Sequence, residues 1–332
     1  MDLLQKMKAK AKAKQKNLVL PEGTEWRTVK AAAGVVEEGF ANSVILLGKK
    51  SEIEKIAARE GVSLNGITII DPSASPNIAK YAHEYYELRK QKGVTEEQAK
   101  KDIIDNLRWG AMMVHLGDAD AMVAGAENTT ANVLRAGLSI IGTMKGMKTA
   151  SSHFIIQTED PSWGVEGAFI FSDCAVIPDR TAEQLADIAL SAAQSCRDFL
   201  EKEPAVAMLS FSTKGSGGDH PNVLKVREAL ALVKARDPEL LIDGEIQLDT
   251  AVIPSVTDTK APGSPIKGKV NVLVFPDLQS GNIGAKLVQR FAKTESFGPF
   301  LQGFAKPISD LSRGAFVEEI INTCAMTLAQ VK

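Results

Sequence analysis

Short runs rich in Val, Ile and Leu, several closed by Gly or Pro, alternate with stretches of helical period along most of this 332-residue chain. No other feature constrains the fold as strongly. Residues 17–20, 43–47, 67–70 and 121–124 read as strands. Between and after them the spacing predicts helix over 28–38, 79–92, 95–116 and 134–141. Strand and helix in this succession give an α/β fold whose sheet, parallel or mixed, is sandwiched by helices.

The middle of the chain has a different texture. Residues 153–156 and 167–171 are separated by a short segment holding Pro161 and Gly164, which favours a hairpin-type pair over a helical crossover. Thr181-Ala182-Glu183-Gln184 is a capping box opening a long amphipathic helix. Residues 205–209 and 270–275 are strong strands that run into loops rich in Gly and Ser. This change of texture predicts two domains, 1–148 with 299–332 and 149–298, and the cleft between them is the expected ligand site.

Composition excludes several classes of function. A net charge of -2 supplies no whole-chain field to draw the protein to nucleic acid or to a membrane. Cationic side chains therefore act locally. Cys174, Cys196 and Cys324 form no CxxC, and His83, His115, His153 and His220 are scattered singly, so no metal site is expected and a reduced compartment is. Residues 1–16 alternate lysine with alanine and lack the apolar core of a signal peptide. They read as a basic helix packed through Leu3, Leu4 and Met7. No apolar run approaches the ~20 residues that span a bilayer, and the expected location is the cytoplasm.

Ligands of open α/β sheets bind beyond the carboxyl ends of strands. Three loops qualify by position: 125–130, 210–218 and 276–284. Each offers hydroxyls and glycine-exposed amides to an anion. None fits the G-x-x-x-x-G-K-[ST] or G-x-G-x-x-G phosphate-binding patterns. Near the end of the chain, Lys306-Pro307-Ile308-Ser309-Asp310-Leu311-Ser312-Arg313-Gly314 runs into a helical pattern beginning at Phe316. A Ser-Arg-Gly turn at a helix start gathers hydroxyl, guanidinium and free N–H groups around an anion, with Glu318 and Glu319 close by. An anion site beside a base suits attack on a phosphorylated substrate.

Taken in order, Leu20-Pro21-Glu22-Gly23, Tyr86-Glu87-Leu88-Arg89, Thr129-Thr130-Ala131-Asn132-Val133-Leu134-Arg135, Ser212-Thr213-Lys214-Gly215-Ser216, Asp243-Gly244-Glu245, Phe275-Pro276-Asp277-Leu278 and Ser309-Asp310-Leu311-Ser312-Arg313-Gly314 resemble the phosphate acetyl/butyryltransferase family from end to end. The resemblance implies a two-domain α/β fold like that of isocitrate and isopropylmalate dehydrogenases. It also implies a homodimer and reversible acyl transfer between acetyl phosphate and coenzyme A, the latter a substrate with no cofactor bound. Ser312 and Arg313 match the family's catalytic pair, and Arg89 and Arg135 match positions associated with coenzyme A. Thr130, Thr213, Gly215, Ser216 and Arg313 are the expected contacts of acetyl phosphate or phosphate.

The family's general base is an aspartate six residues after the arginine; here that position is Glu319, a departure by one methylene. Periodicity leaves Glu318 and Glu319 equivalent, and only the resemblance selects Glu319. Three alternatives stand beside acetyl transfer: a phosphate butyryl- or propionyltransferase, a dehydrogenase of the related fold, and a non-catalytic acetyl-CoA-sensing domain. The dehydrogenases need an aspartate cluster for metal and a nicotinamide site, and neither motif set occurs.

Overall fold

The structure is a computed structural model that describes residues 3–292 and 294–332. Met1 and Asp2 of the expected basic helix lie outside the described residues. Eleven strands occur among those described: β1 (Lys16–Leu20), β2 (Ala41–Leu47), β3 (Ile67–Ile70), β4 (Ala121–Ala124), β5 (Ser151–Gln157), β6 (Ala168–Ser172), β7 (Ala205–Leu209), β8 (Leu241–Ile246), β9 (Val272–Val274), β10 (Glu295–Gln302) and β11 (Ile308–Asp310). The chain forms two compact units, Met1–Met144 with Phe304–Lys332, and Lys145–Gly303.

In the first unit the strands run in the order β3-β2-β1-β4-β11, all parallel, with Leu20 beside Leu46 and Ile308 beside Met122. Leu18, Leu20, Val44 and Leu46 are fully buried against Val29, Ala32 and Val35 of the helix Trp26–Glu38 and Ile320, Cys324 and Leu328 of the last helix, Val317–Gln330. The continuous apolar character of these strands follows from that cover. The carboxylate of Glu25 opens Trp26–Glu38 by accepting from the Thr28 N–H at 2.9 Å. Gly39 closes it in the left-handed region at φ 70, which costs glycine least.

In the second unit the order is β10-β5-β6-β9-β7-β8. β5 and β6 pair antiparallel, with Phe154 beside Phe171, so the hairpin-type pair holds. The Thr181 capping box is also present: Thr181 Oγ1 accepts from the Gln184 N–H, and Gln184 Oε1 accepts from the Thr181 N–H. Ile156, Phe169, Phe171, Leu209, Ile246 and Leu273 belong to this unit's core.

Two helical expectations need correction. The single helix over 95–116 is two, Glu96–Asp102 and Asn106–Leu116, because Asp105 caps the second by accepting from the Arg108 N–H at 3.0 Å. The helix over 134–141 begins earlier, at Thr130, and ends at Ala136, where a π-turn over Gly137–Ile141 takes over. The last helix begins at Val317, with Phe316, the first residue of its helical pattern, at the N-cap.

Candidate active site

The loop after β4 is built around a carboxylate. Glu22, on the turn after β1 and 4% exposed, accepts from the N–H groups of Gly125, Ala126, Glu127 and Asn128 at 2.9, 2.7, 3.1 and 2.7 Å, and from Asn128 Nδ2 at 2.9 Å. The amides expected to cradle an external anion are thus occupied from within. Gly125 has φ 110, and a Cβ there would lie 2.4 Å from Asp310 Oδ1 and 2.6 Å from the Leu311 nitrogen. Glycine is what lets the loop close on the segment leading to Ser312.

The 210–218 loop repeats the device. Glu245, at the end of β8, accepts from the Ser212 hydroxyl at 2.9 Å, the Gly215 N–H at 2.7 Å and Nε of Arg227 at 2.9 Å. Burial would raise this carboxyl, but the Arg227, Gly215 and Ser212 bonds outweigh it and hold it at about 2. Ser216 Oγ accepts from the Thr213 N–H at 2.9 Å, and Thr213 Oγ1 accepts from the Gln247 N–H at 3.0 Å. In the 276–284 loop Asp277 caps the helix Leu278–Phe291 by accepting from the Ser280 N–H at 2.8 Å. All three strand-end loops close on a carboxylate of this chain, so binding an anion falls mainly to side chains.

The turn at 312–315 supplies them. Ser312, Arg313 and Gly314 are exposed. Ser312 Oγ accepts from the Gly314 N–H at 3.2 Å, and the Ser312 carbonyl accepts from the Ala315 N–H at 2.9 Å. Ser312 therefore shapes the turn and does not cap the helix. Among the described residues the Arg313 guanidinium has no hydrogen bond or ion pair, whereas its own carbonyl is held from below. Arg27 Nη1 donates to the carbonyls of Arg313 and Ala315 at 2.8 and 2.9 Å, and Nη2 donates to that of Ala126 at 2.8 Å. Nε of Arg27 meets Glu25 at 2.8 Å. One rigid fork joins the Ser312–Ala315 turn to the loop after β4. A depression of about 360 Å³ lies alongside, lined by Trp26, Arg27, Gly314, Ala315, Phe316 and Val317.

Glu319 Oε2 accepts from the Phe316 N–H at 2.8 Å, so it satisfies one of the free amides at the helix start. No hydrogen bond occupies its Oε1 among the described residues, and Glu318 and Glu319 are both exposed. Arg89 is half-buried, and its Nε is buried without a partner. Its neighbour Glu87 pairs instead with Lys90 at 2.5 Å. Arg135 is exposed, with Nη1 bonded to Asn132 Oδ1 at 3.0 Å. Thr130 Oγ1 donates to Asp310 Oδ2 at 2.5 Å. The three cysteines are free and buried, which raises each thiol; Cys196 is pushed up to about 12. None is poised as a nucleophile. Among the described residues no group of three or more His, Cys, Asp or Glu is gathered as a metal site requires.

Arg27 lies in none of the family-like motifs, and Glu22 and Asp310 lie in two of them without being assigned a role there. Asp310 follows an apolar strand and precedes Ser312 by two residues, a local signal; the contacts of Glu22 and Arg27 span 99 to 288 residues and leave none.

A strand-end turn thus presents an exposed serine and an exposed arginine in a two-unit α/β chain. The family model described as "Phosphate acetyl/butaryl transferase" matches residues 2–328. The phosphate acetyltransferase of Treponema pallidum (strain Nichols) is 56% identical over 332 residues, covering 99% of both chains. The crystal structure of a phosphotransacetylase from Streptococcus pyogenes superposes with a TM-score of 0.92 at 40% identity, covering 99% of this chain and 98% of that one. At the level of fold alone, 4-hydroxythreonine-4-phosphate dehydrogenase from Klebsiella pneumoniae aligns with a TM-score of 0.54 at 12% identity, covering 95% of this chain and 100% of that one. The chain belongs to the phosphate acetyl/butyryltransferase family. It is an acyltransferase.

Proposed function

We propose that the chain catalyses reversible transfer of an acetyl group between acetyl phosphate and coenzyme A by direct attack in a ternary complex. The observation that carries this reading is the exposed, unpaired Arg313 guanidinium, held beside Ser312 by a turn whose carbonyls are fixed by Arg27. Arginine's planar fork binds phosphoryl oxygens bidentately.

The thiol sulfur of coenzyme A attacks the acetyl carbonyl. Glu319 takes the thiol proton on the oxygen not used in capping. A carboxylate is a weak base for a thiol, yet positioned proton transfer contributes ~10²–10⁴-fold. The carbonyl oxygen becomes an oxyanion and accepts from the Ser312 hydroxyl, a contact worth a few kcal/mol. When the C–O bond breaks, phosphate departs with its charge against Arg313. The C–S bond that replaces it is the thioester, and no enzyme-bound acyl intermediate is needed. Glu318 and Glu319 are both exposed, Glu319 alone is held by the Phe316 N–H, and the family position selects Glu319 as the base.

Arg89, with its orphaned Nε, and Arg135 are assigned to the phosphates of coenzyme A. The apolar wall of Trp26 and Phe316 suits the pantetheine arm. Thr130, Thr213, Gly215 and Ser216 are assigned to acetyl phosphate or phosphate; the Gly215 N–H bonded to Glu245 and the Ser216 Oγ accepting from the Thr213 N–H also shape the loop. No cofactor beyond the substrate is part of the reading.

A homodimer is supported by the row Ile283, Leu287 and Phe291 on Leu278–Phe291, which are 56, 51 and 82% exposed at helical spacing. Among the described residues no helix is long and apolar enough to cross a membrane, and a cytoplasmic enzyme is the location proposed. Thioester absorbance with acetyl phosphate and coenzyme A, without metal or nicotinamide, tests the activity. Acetyl outpacing propionyl and butyryl phosphate in kcat/KM is the expected result. Preference for butyryl phosphate would move the assignment to the butyryltransferase branch, and no thioester at all would end it.

A further inference from the structure

Two residues before Ser312, at the carboxyl end of β11, Asp310 is 2% exposed. Its Oδ2 accepts from the Thr130 hydroxyl at 2.5 Å, and its Oδ1 is buried with no hydrogen-bond partner. The nearby Leu311 N–H donates to the Ala124 carbonyl at 2.8 Å. A carboxylate left half unsatisfied in the interior is costly unless it carries a proton.

Charge around it favours the proton. Glu22, on the turn after β1, faces Asp310 with a second negative charge. Arg27, from the helix Trp26–Glu38, spends its donors on Glu25 and three carbonyls. Glu127, Arg135 and Arg313 are exposed, as are Glu318 and Glu319 on the last helix. No ion pair offsets Asp310 among the described residues. Burial raises its carboxyl and Glu22 adds to that, while the Thr130 bond and the Leu311 N–H offset part, leaving it at about 6.

A threonine hydroxyl has one proton to give. While Asp310 is ionised, that proton goes to Asp310, and Thr130 has nothing to donate to an anion. We propose that Asp310 is a positioning residue that takes up a proton from solvent when a phosphoryl dianion docks beside Thr130. The carboxyl O–H then donates to Thr130 Oγ1, and the Thr130 O–H turns to the anion. The inference rests on the reading of Thr130 as a phosphoryl contact. Anion binding raises the proton affinity of Asp310, and by reciprocity protonation of Asp310 tightens anion binding.

The probe is inorganic sulfate, a dianion that does not titrate near neutrality, bound to the intact chain by calorimetry in two buffers of different ionisation enthalpy. Wild type should take up most of one proton per site at about pH 7.5, falling towards none near pH 5, where Asp310 is already protonated. Asp310→Asn mimics the protonated acid and should abolish the uptake, binding sulfate about as wild type does near pH 5 and about tenfold or more tighter than wild type at pH 7.5. Thr130→Val should lose the uptake and weaken sulfate about tenfold. Uptake that persists in Asp310→Asn, or that stays constant from pH 7.5 to 5 in wild type, overturns the proposal and leaves Ser312 and Arg313 untouched. The wild-type series decides alone if Asp310→Asn does not fold. Sulfate that fails to bind, or binds Thr130→Val unchanged, removes Thr130 from the anion site and this inference with it; turnover of Arg313→Ala reports separately on the reaction assignment.

Discussion

Arg27 Nη1 lies 2.8 Å from the backbone carbonyl of Arg313, so one arginine fixes the main chain beneath another whose side chain is left uncommitted. Removing Arg27 frees three carbonyls and strands the Glu25 partner. Arg27→Ala should lower stability by about 1–3 kcal/mol in urea unfolding. It should also lower kcat by ~10²-fold, the effect of ångström-scale misplacement of a catalytic group. Arg27→Lys keeps the charge without the fork and should recover less than half of either loss. Full activity in Arg27→Ala would show that the turn holds itself.

Glu319 has two candidate duties that one substitution separates. Glutamine at the third helical position still accepts from the Phe316 N–H, as in a capping box. Glu319→Gln should therefore unfold within about 0.5 kcal/mol of wild type yet lose ~10²-fold or more in kcat. Glu319→Ala should lose about 1 kcal/mol as well. Wild-type turnover and an unaltered pH–rate profile in Glu319→Gln would leave the carboxylate as a cap only.

Two buried carboxyls tilt stability in opposite directions with pH. Glu245 is held at about 2, below its ordinary 4.5, so its contribution is complete above pH 4.5 and is lost as pH falls towards 2. Asp310 is raised from 3.8 to about 6, so its ionisation costs stability progressively as pH climbs between those values. Urea midpoints should drop less steeply below pH 4.5 in Glu245→Gln than in wild type. In Asp310→Asn they should exceed wild type above pH 6. An unchanged acid limb, or a less stable Asp310→Asn at pH 7, contradicts the respective environment.

The strands are readable because Leu18, Leu20, Val44 and Leu46 are buried by helices, and burial leaves an unbroken apolar run in sequence. The break at Asp105 is also written there, as a capping aspartate inside a long helical period, but periodicity across it outweighs one polar residue. The start of the last helix is read from its apolar period alone, without a capping signal. Its N-cap is Phe316, which has no capping oxygen, and the compensating Glu319 is indistinguishable by pattern from Glu318. Ser312 and Arg313 stand out as a motif. What holds them does not, since Arg27 and Glu22 act on backbone groups that any residue supplies. The loops at 125–130 and 210–218 look open to anions because sequence shows their glycines and hydroxyls but not the carboxylates already filling them.

The central claim is that the Arg313 guanidinium engages the phosphoryl group during acyl transfer. Its side chain makes no bond within the described chain, so Arg313→Ala should unfold as wild type does. The measurement is thioester formation from acetyl phosphate and coenzyme A by that variant, alongside its unfolding transition. A fall in kcat/KM of ~10²-fold or more with an unshifted transition is the expected result. Turnover within about threefold of wild type contradicts the claim.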